Sequence, residues 1–213
     1  MAAKYSLKRY QPINLRVWHW LNAFFVTSLL GTVVLRKTFL SRKMNVRFIE
    51  EAAAALDAEL PQNVAKNAAK AMVNNLWDWH IYLGFALSAL LVYRIVIIFL
   101  EKRFPLKPSL EAVKFARTAQ GEEKVATRQF AGVQFMYFIT YGMLLFMVLS
   151  GLFLSFADSW GISEEFSEEV CEFHEAAMWF FAVFVPVHVA GVVRAELTRY
   201  KGIVSDMIHG GNP

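Results

Sequence analysis

The sequence has a single cysteine, Cys171, among 213 residues. An intrachain disulfide is impossible, and so is a zinc or iron–sulfur centre built from several thiolates. Charge is also scarce: Asp, Glu, Lys and Arg make up 19%, below the usual quarter of a soluble domain. No repeat or low-complexity tract is present, and no RRM-like or zinc-finger-like motif, so nucleic acid is not an expected partner. Hydrophobic residues reach 56% and aromatics 15%, which excludes disorder and the collagen-like and disulfide-rich classes. A water-soluble globule of this size would expose too much apolar surface. The mean hydropathy of +0.36 leaves a polytopic membrane protein, and the length suits one domain, 1–213.

Four apolar runs approach or exceed the ~20 residues that cross a bilayer as a helix. They cover about 15–35, 76–100, 133–157 and 173–193. Their apolar character is continuous, which fits helices and not the alternating strands of a membrane barrel. The fold expected is therefore all-α, an integral membrane four-helix bundle. The first run is too long for a signal-peptide core and is followed by Leu35-Arg36-Lys37, so it reads as a permanent span. Between the runs, 36–75 is long and mixed, with a helical stretch over 46–58 that Pro61 interrupts. Segment 101–132 is basic and contains Pro105 and Pro108. Segment 158–172 holds six acids and no Lys or Arg.

Four spans put both termini on one side. That side receives fourteen basic residues, among them Lys4, Lys8, Arg9, Arg16, Arg194, Arg199 and Lys201, with the others in 101–132. The opposite side receives seven, all in 36–75. The positive-inside rule makes the termini cytoplasmic.

Four of the five histidines, His19, His80, His174 and His188, fall inside the spans, and His209 lies beyond the last. Histidine within a membrane is costly and usually functional. His19 lies near the inner start of the first span, and His80 near the outer start of the second. His174 and His188 are fourteen residues apart on the fourth. That spacing rises about 21 Å and returns within ~40° of the same face. His188 thus matches the depth of His19, and His174 that of His80. This is the pattern of two haems, each held by two histidines across a bundle. Gly84, one turn after His80, leaves room for a porphyrin or allows close helix packing. A zinc or copper site would need three or four ligands at one depth, and a proton-relay transporter would carry acids within its spans. Arg94 is the single charge deep in a span, placed to face a haem propionate or to snorkel to the headgroups. Arg16 has the same two options. Trp77, Trp79, Trp160 and Tyr200 read as interface anchors, Cys171 as an inert thiol, and 158–172 as a solvated loop or a docking site.

Arg16-Val17-Trp18-His19-Trp20 resembles the first-helix motif of the bacterial cytochrome b561-like superfamily, and His80-x3-Gly84 its second. His174-x3-Met178-Trp179-x8-His188, Leu149-Ser150-Gly151-Leu152 and Ser205-Asp206-Met207-Ile208-His209-Gly210 are similar to the b-type cytochrome subunit of membrane-bound nickel–iron hydrogenases. The resemblance covers nearly the whole chain except 36–75. It implies two b haems without covalent attachment, in a bacterial inner-membrane protein. His19 and His188 would ligate the inner haem, His80 and His174 the outer one. It also implies electron transfer between an extracytoplasmic iron–sulfur subunit and membrane quinone, as a subunit of an oxidoreductase complex. Arg16, Asn22, Arg194 and His209 are the polar groups offered to quinone at the inner surface. Two alternatives stay open: a self-sufficient membrane oxidoreductase, for example passing electrons from superoxide to quinone, and a haemless membrane transport or assembly protein.

Overall fold

A computed structural model of the chain describes residues 11–58, 60–101, 106–198 and 200–211. Lys4, Lys8, Arg9, Lys102, Arg103 and Arg199 of the charge count, and Pro105, lie outside the described residues. The described residues form seven α-helices and no strand: α1 (Ile13–Lys37), α2 (Arg42–Ala54), α3 (Gln62–Leu100), α4 (Leu106–Thr118), α5 (Gly121–Phe156), α6 (Glu164–Leu197) and α7 (Ile203–His209). Four of them, α1, α3, α5 and α6, are long and apolar enough to cross a membrane. The protein is an all-α membrane helical bundle.

The long helices outrun the apolar runs that announce them. At 1.5 Å per residue α3 is about 58 Å long, whereas the hydrocarbon core needs only ~30 Å. Its first stretch, 62–75, carries Lys66 and Lys70 and continues past the apolar segment as a polar helix. Pro61 caps it, with extended backbone at ψ 135°; proline is suited to a helix start because its missing N–H would be unpaired there anyway. The helix expected at 46–58 lies four residues earlier, at Arg42–Ala54. Ser41 sets its start by accepting a hydrogen bond from the Met44 backbone N–H at 3.4 Å, a side-chain cap that the alanine pattern does not reveal. α2 packs on α3 outside the apolar zone, and Arg47 and Glu51 pair one turn apart on its exposed face at 2.6 Å.

The same happens at the other end with 101–132. It is not a loop: α4 and the first three turns of α5 occupy most of it. Pro108 falls in the first turn of α4, where proline does not break a helix. Ala112 of α4 and Phe130 of α5 are buried against each other, with Phe115 and Ala131 around them. The acidic segment 158–172 is likewise half helix, since α6 starts at Glu164. Ser163 caps it by accepting from the Phe166 N–H, and Glu164 and Glu165 sit in its first turn, where negative charge complements the helix dipole.

Polar contacts mark the two ends of the bundle. At one end Asn14 reaches Glu101 at 3.4 Å, Tyr200 donates to Gln129 at 3.0 Å, and the Gln11 N–H donates to the Gly210 carbonyl at 3.0 Å. At the other, Lys37 pairs with Glu175 at 3.4 Å. Both ends of the described chain, at Gln11 and Gly210, therefore meet at one end of the bundle. Between the ends the core is Trp18 and Val26 of α1, Leu87, Leu90 and Leu91 of α3, Leu144 and Val148 of α5, and Phe181 of α6. Much of the remaining Phe, Val and Leu is exposed on the outer faces of the helices, as expected of side chains solvated by lipid. Tyr200, expected as an interface anchor, is instead buried and tied to Gln129.

Candidate haem site

The bundle brings His19 of α1 and His188 of α6 together. Their ring centroids are 6.2 Å apart and the planes are inclined by 59°. Neither ring has a hydrogen-bond partner among the described residues. Trp20 meets His19 edge-on at 5.4 Å, and Phe184 stacks on His188 at 5.5 Å. An imidazole nitrogen binds a first-row metal at about 2 Å with its ring centre ~1.1 Å beyond, so two rings on opposite sides of one ion stand about 6.3 Å apart. Two imidazoles brought this near each other could hold one metal ion between them.

The second pair lies toward the Lys37–Glu175 end. His80 of α3 and His174 of α6 are each held by a hydroxyl on a neighbouring helix. Thr32 Oγ1 of α1 lies 2.7 Å from His80 Nδ1, and Ser150 Oγ of α5 lies 2.8 Å from His174 Nδ1. Trp77 stacks flat on His80 at 4.6 Å, and the Arg36 guanidinium covers Trp77 at 4.2 Å. Trp77 is thus a wall of the histidine site as well as an aromatic residue near a span end. Space remains beside these rings. A β-carbon built on Gly84 would meet nothing within 4 Å, and one on Gly151 would come within 3.4 Å of the His174 ring. The donor chemistry, the spacing and the room at Gly84 suit a haem.

The arginines are placed differently from one another. Arg94 donates from Nε to the Tyr141 hydroxyl at 3.1 Å and lies 5.3 Å from the Trp18 ring centre. Trp18 and Tyr141 stack at 5.4 Å. Arg16 points to α7, donating from Nη1 to the Ile208 carbonyl, and the Trp20 indole donates to the Met207 carbonyl at 3.2 Å. His209 and Arg194 are exposed, and Cys171 is a free exposed thiol. Among the described residues no three of His, Cys, Asp or Glu converge on one point, and His19 and His188 meet as a pair.

The sequence profile described as prokaryotic cytochrome b561 matches residues 10–210. The chain belongs to the prokaryotic cytochrome b561 family. It is therefore a membrane b-type cytochrome of electron transfer, with haem b as its cofactor. Family membership removes the haemless transport or assembly reading. No curated protein and no solved structure matches the chain. For this b561 cytochrome, two features were missed from the residues alone. One is the pair of hydroxyls on His80 and His174; Ser150 stands inside a motif, but which histidine it meets depends on helix rotation. The other is Pro186, inside α6 two residues before His188, whose spacing in the sequence does signal a helix bond removed next to that histidine.

Proposed function

We propose that this cytochrome holds two b haems, one between His19 and His188 and one between His80 and His174, and carries electrons between an extracytoplasmic redox partner and membrane quinone. The single observation that carries the two-site reading is the 6.2 Å between the His19 and His188 rings, with His80 and His174 both toward the Lys37–Glu175 end, some four turns away along α6. Two imidazoles saturate the iron, so a haem held this way supports electron transfer and not oxygen binding.

The orientation follows the basic residues: the end bearing Gln11 and Gly210 faces the cytoplasm of a bacterial inner membrane. The His80/His174 site then lies toward the outer surface, within reach of an iron–sulfur subunit, of which a hydrogenase-like one fits the His174-x3-Met178-Trp179-x8-His188 motif of α6. The His19/His188 site lies toward the inner surface, where quinone protonation draws on the cytoplasm. Polar atoms there support a quinone pocket. Trp18 Nε1, Asn22 Oδ1, Arg16 Nε and Thr140 Oγ1 are buried without a hydrogen-bond partner in the structure, and an unpaired buried polar group costs about 1–3 kcal/mol. A quinone carbonyl is an acceptor matched to the indole and guanidinium donors. A haem propionate and lipid headgroups are the competing partners for Arg16, and Arg94 would face a propionate.

The test is single substitution of Arg16, Asn22 and His209, with haem content and the rate of quinol-driven haem reduction measured together. At least one variant should retain both haems and exchange electrons with quinol at least tenfold more slowly. If every slow variant has also lost haem, these residues hold the cofactor and the quinone assignment is wrong.

A further inference from the structure

Thr32 and Ser150 are buried polar residues, 8% and 6% exposed, in the apolar interior of the bundle. Each hydroxyl has one proton to donate. Thr32 Oγ1 lies 2.7 Å from the Leu29 carbonyl of its own helix, and Ser150 Oγ lies 2.7 Å from the Phe146 carbonyl. Those carbonyls can only accept, so each hydroxyl donates to its helix. What remains for histidine is the oxygen lone pair. The short contacts of 2.7 and 2.8 Å to His80 Nδ1 and His174 Nδ1 then require both imidazoles to carry their proton on Nδ1. That leaves both Nε2 lone pairs free, the same tautomer on the two rings, set from two different helices.

We propose that Thr32 and Ser150 are the positioning residues of the His80/His174 haem: they fix the tautomer and the ring orientation of the two ligands and lower the reduction potential of that haem relative to its neighbour. The inference rests on the reading of His80 and His174 as ligands. An imidazole that donates a hydrogen bond from its distal nitrogen is a more basic ligand, and a more basic ligand favours the ferric over the ferrous ion. His19 and His188 have no such acceptor among the described residues. The two sites are therefore chemically unequal despite their matching ligand sets. The same contacts explain why α5, which contains no histidine, belongs to the site: it supplies Ser150, and Gly151 lets the His174 ring approach its backbone.

The experiment is a redox titration of purified holoprotein, followed in the visible spectrum and by low-temperature electron paramagnetic resonance, for Thr32→Val, Thr32→Ser, Ser150→Ala and Ser150→Thr, with His80→Ala as reference. The proposal expects Thr32→Val and Ser150→Ala to raise the midpoint potential of one haem, the one missing in His80→Ala, and to shift its ferric g values. The other haem should stay as in the parent protein. Thr32→Ser and Ser150→Thr should keep the parent potential. Where a hydroxyl-free variant binds that haem about 10- to 100-fold more weakly while the hydroxyl-bearing variant retains it, the proposal is likewise supported. It is overturned if Thr32→Val and Ser150→Ala leave both potentials and both sets of g values unchanged. It is overturned too if Thr32→Val and Thr32→Ser behave alike, since shape and not the hydroxyl then matters. If His80→Ala retains both haems, it is the ligand assignment that fails, and that outcome is distinct from an unchanged potential in a protein whose His80→Ala variant has lost one haem.

Discussion

His19 and His188 stand near opposite ends of the chain, yet their imidazole rings meet at an inclination of 59° with centroids 6.2 Å apart. Helix α1 leaves the terminus-bearing end as α6 returns to it, so residues near the start of one and the end of the other share a level. Two aromatic side chains, Trp20 and Phe184, flank the rings and limit how far either can turn.

The first prediction concerns cofactor number. A pyridine haemochrome assay should give two b haems per chain. His19→Ala and His188→Ala should each lose the same spectral component, and His80→Ala and His174→Ala the other. A shared loss in His19→Ala and His80→Ala would break the pairing derived from depth.

Sidedness follows from the bundle ends. In a Cys171→Ser background, which removes the exposed native thiol, Ser163→Cys should react with an impermeant maleimide in intact spheroplasts. Lys201→Cys should react only after lysis. The reverse pattern would invert the orientation and exchange the inner and outer sites.

Helix α7 is held by a carboxylate. Glu196 accepts from the Gly202 N–H at 2.8 Å and the Val204 N–H at 3.0 Å, charge-assisted bonds at the start of a helix too short to persist unaided. Gly210, at φ 103°, closes the other end in a conformation that L side chains rarely adopt. Glu196→Ala should weaken docking of α7 by about 1.5–3 kcal/mol. Hydrogen exchange over 203–209 should therefore quicken more than tenfold while both haems remain. Unchanged protection there would show that Arg16 and Trp20 suffice to hold the helix.

Pro186 removes a backbone hydrogen bond half a turn before His188. Pro186→Ala supplies an N–H that can donate to the Ala182 carbonyl and re-forms the regular helix. The expected result is a lower occupancy of the His19/His188 haem, with the other haem unaffected. Full occupancy of both, at parent midpoint potentials, would mean that the proline has no part in aiming His188.

Several properties of this protein follow from the order of its residues. Continuous apolar runs demand helices in lipid, because the backbone must satisfy itself there, and the four runs correspond to α1, α3, α5 and α6. Depth is a matter of counting at a fixed rise, so the matching of His19 with His188 was legible from position alone. Helix boundaries outside the lipid were less so. The polar extensions 62–75 and 121–132 lack the hydropathy that announces a span, and their helicity depends on packing against α2 and α4. Neighbour choice was not legible at all. Whether Ser150 meets His174, whether Tyr141 receives Arg94, and whether Arg16 turns to α7 and not to the membrane surface depend on the rotation and crossing of helices distant in sequence. Those angles are set by how the whole core, Trp18, Leu87, Leu144 and Phe181 among it, interlocks. Composition and periodicity act along one helix at a time, while a hydrogen bond between two helices exists only once both are placed. The sequence by itself therefore determined the spans and the levels of the histidines. The tertiary structure decided which hydroxyl holds which ring.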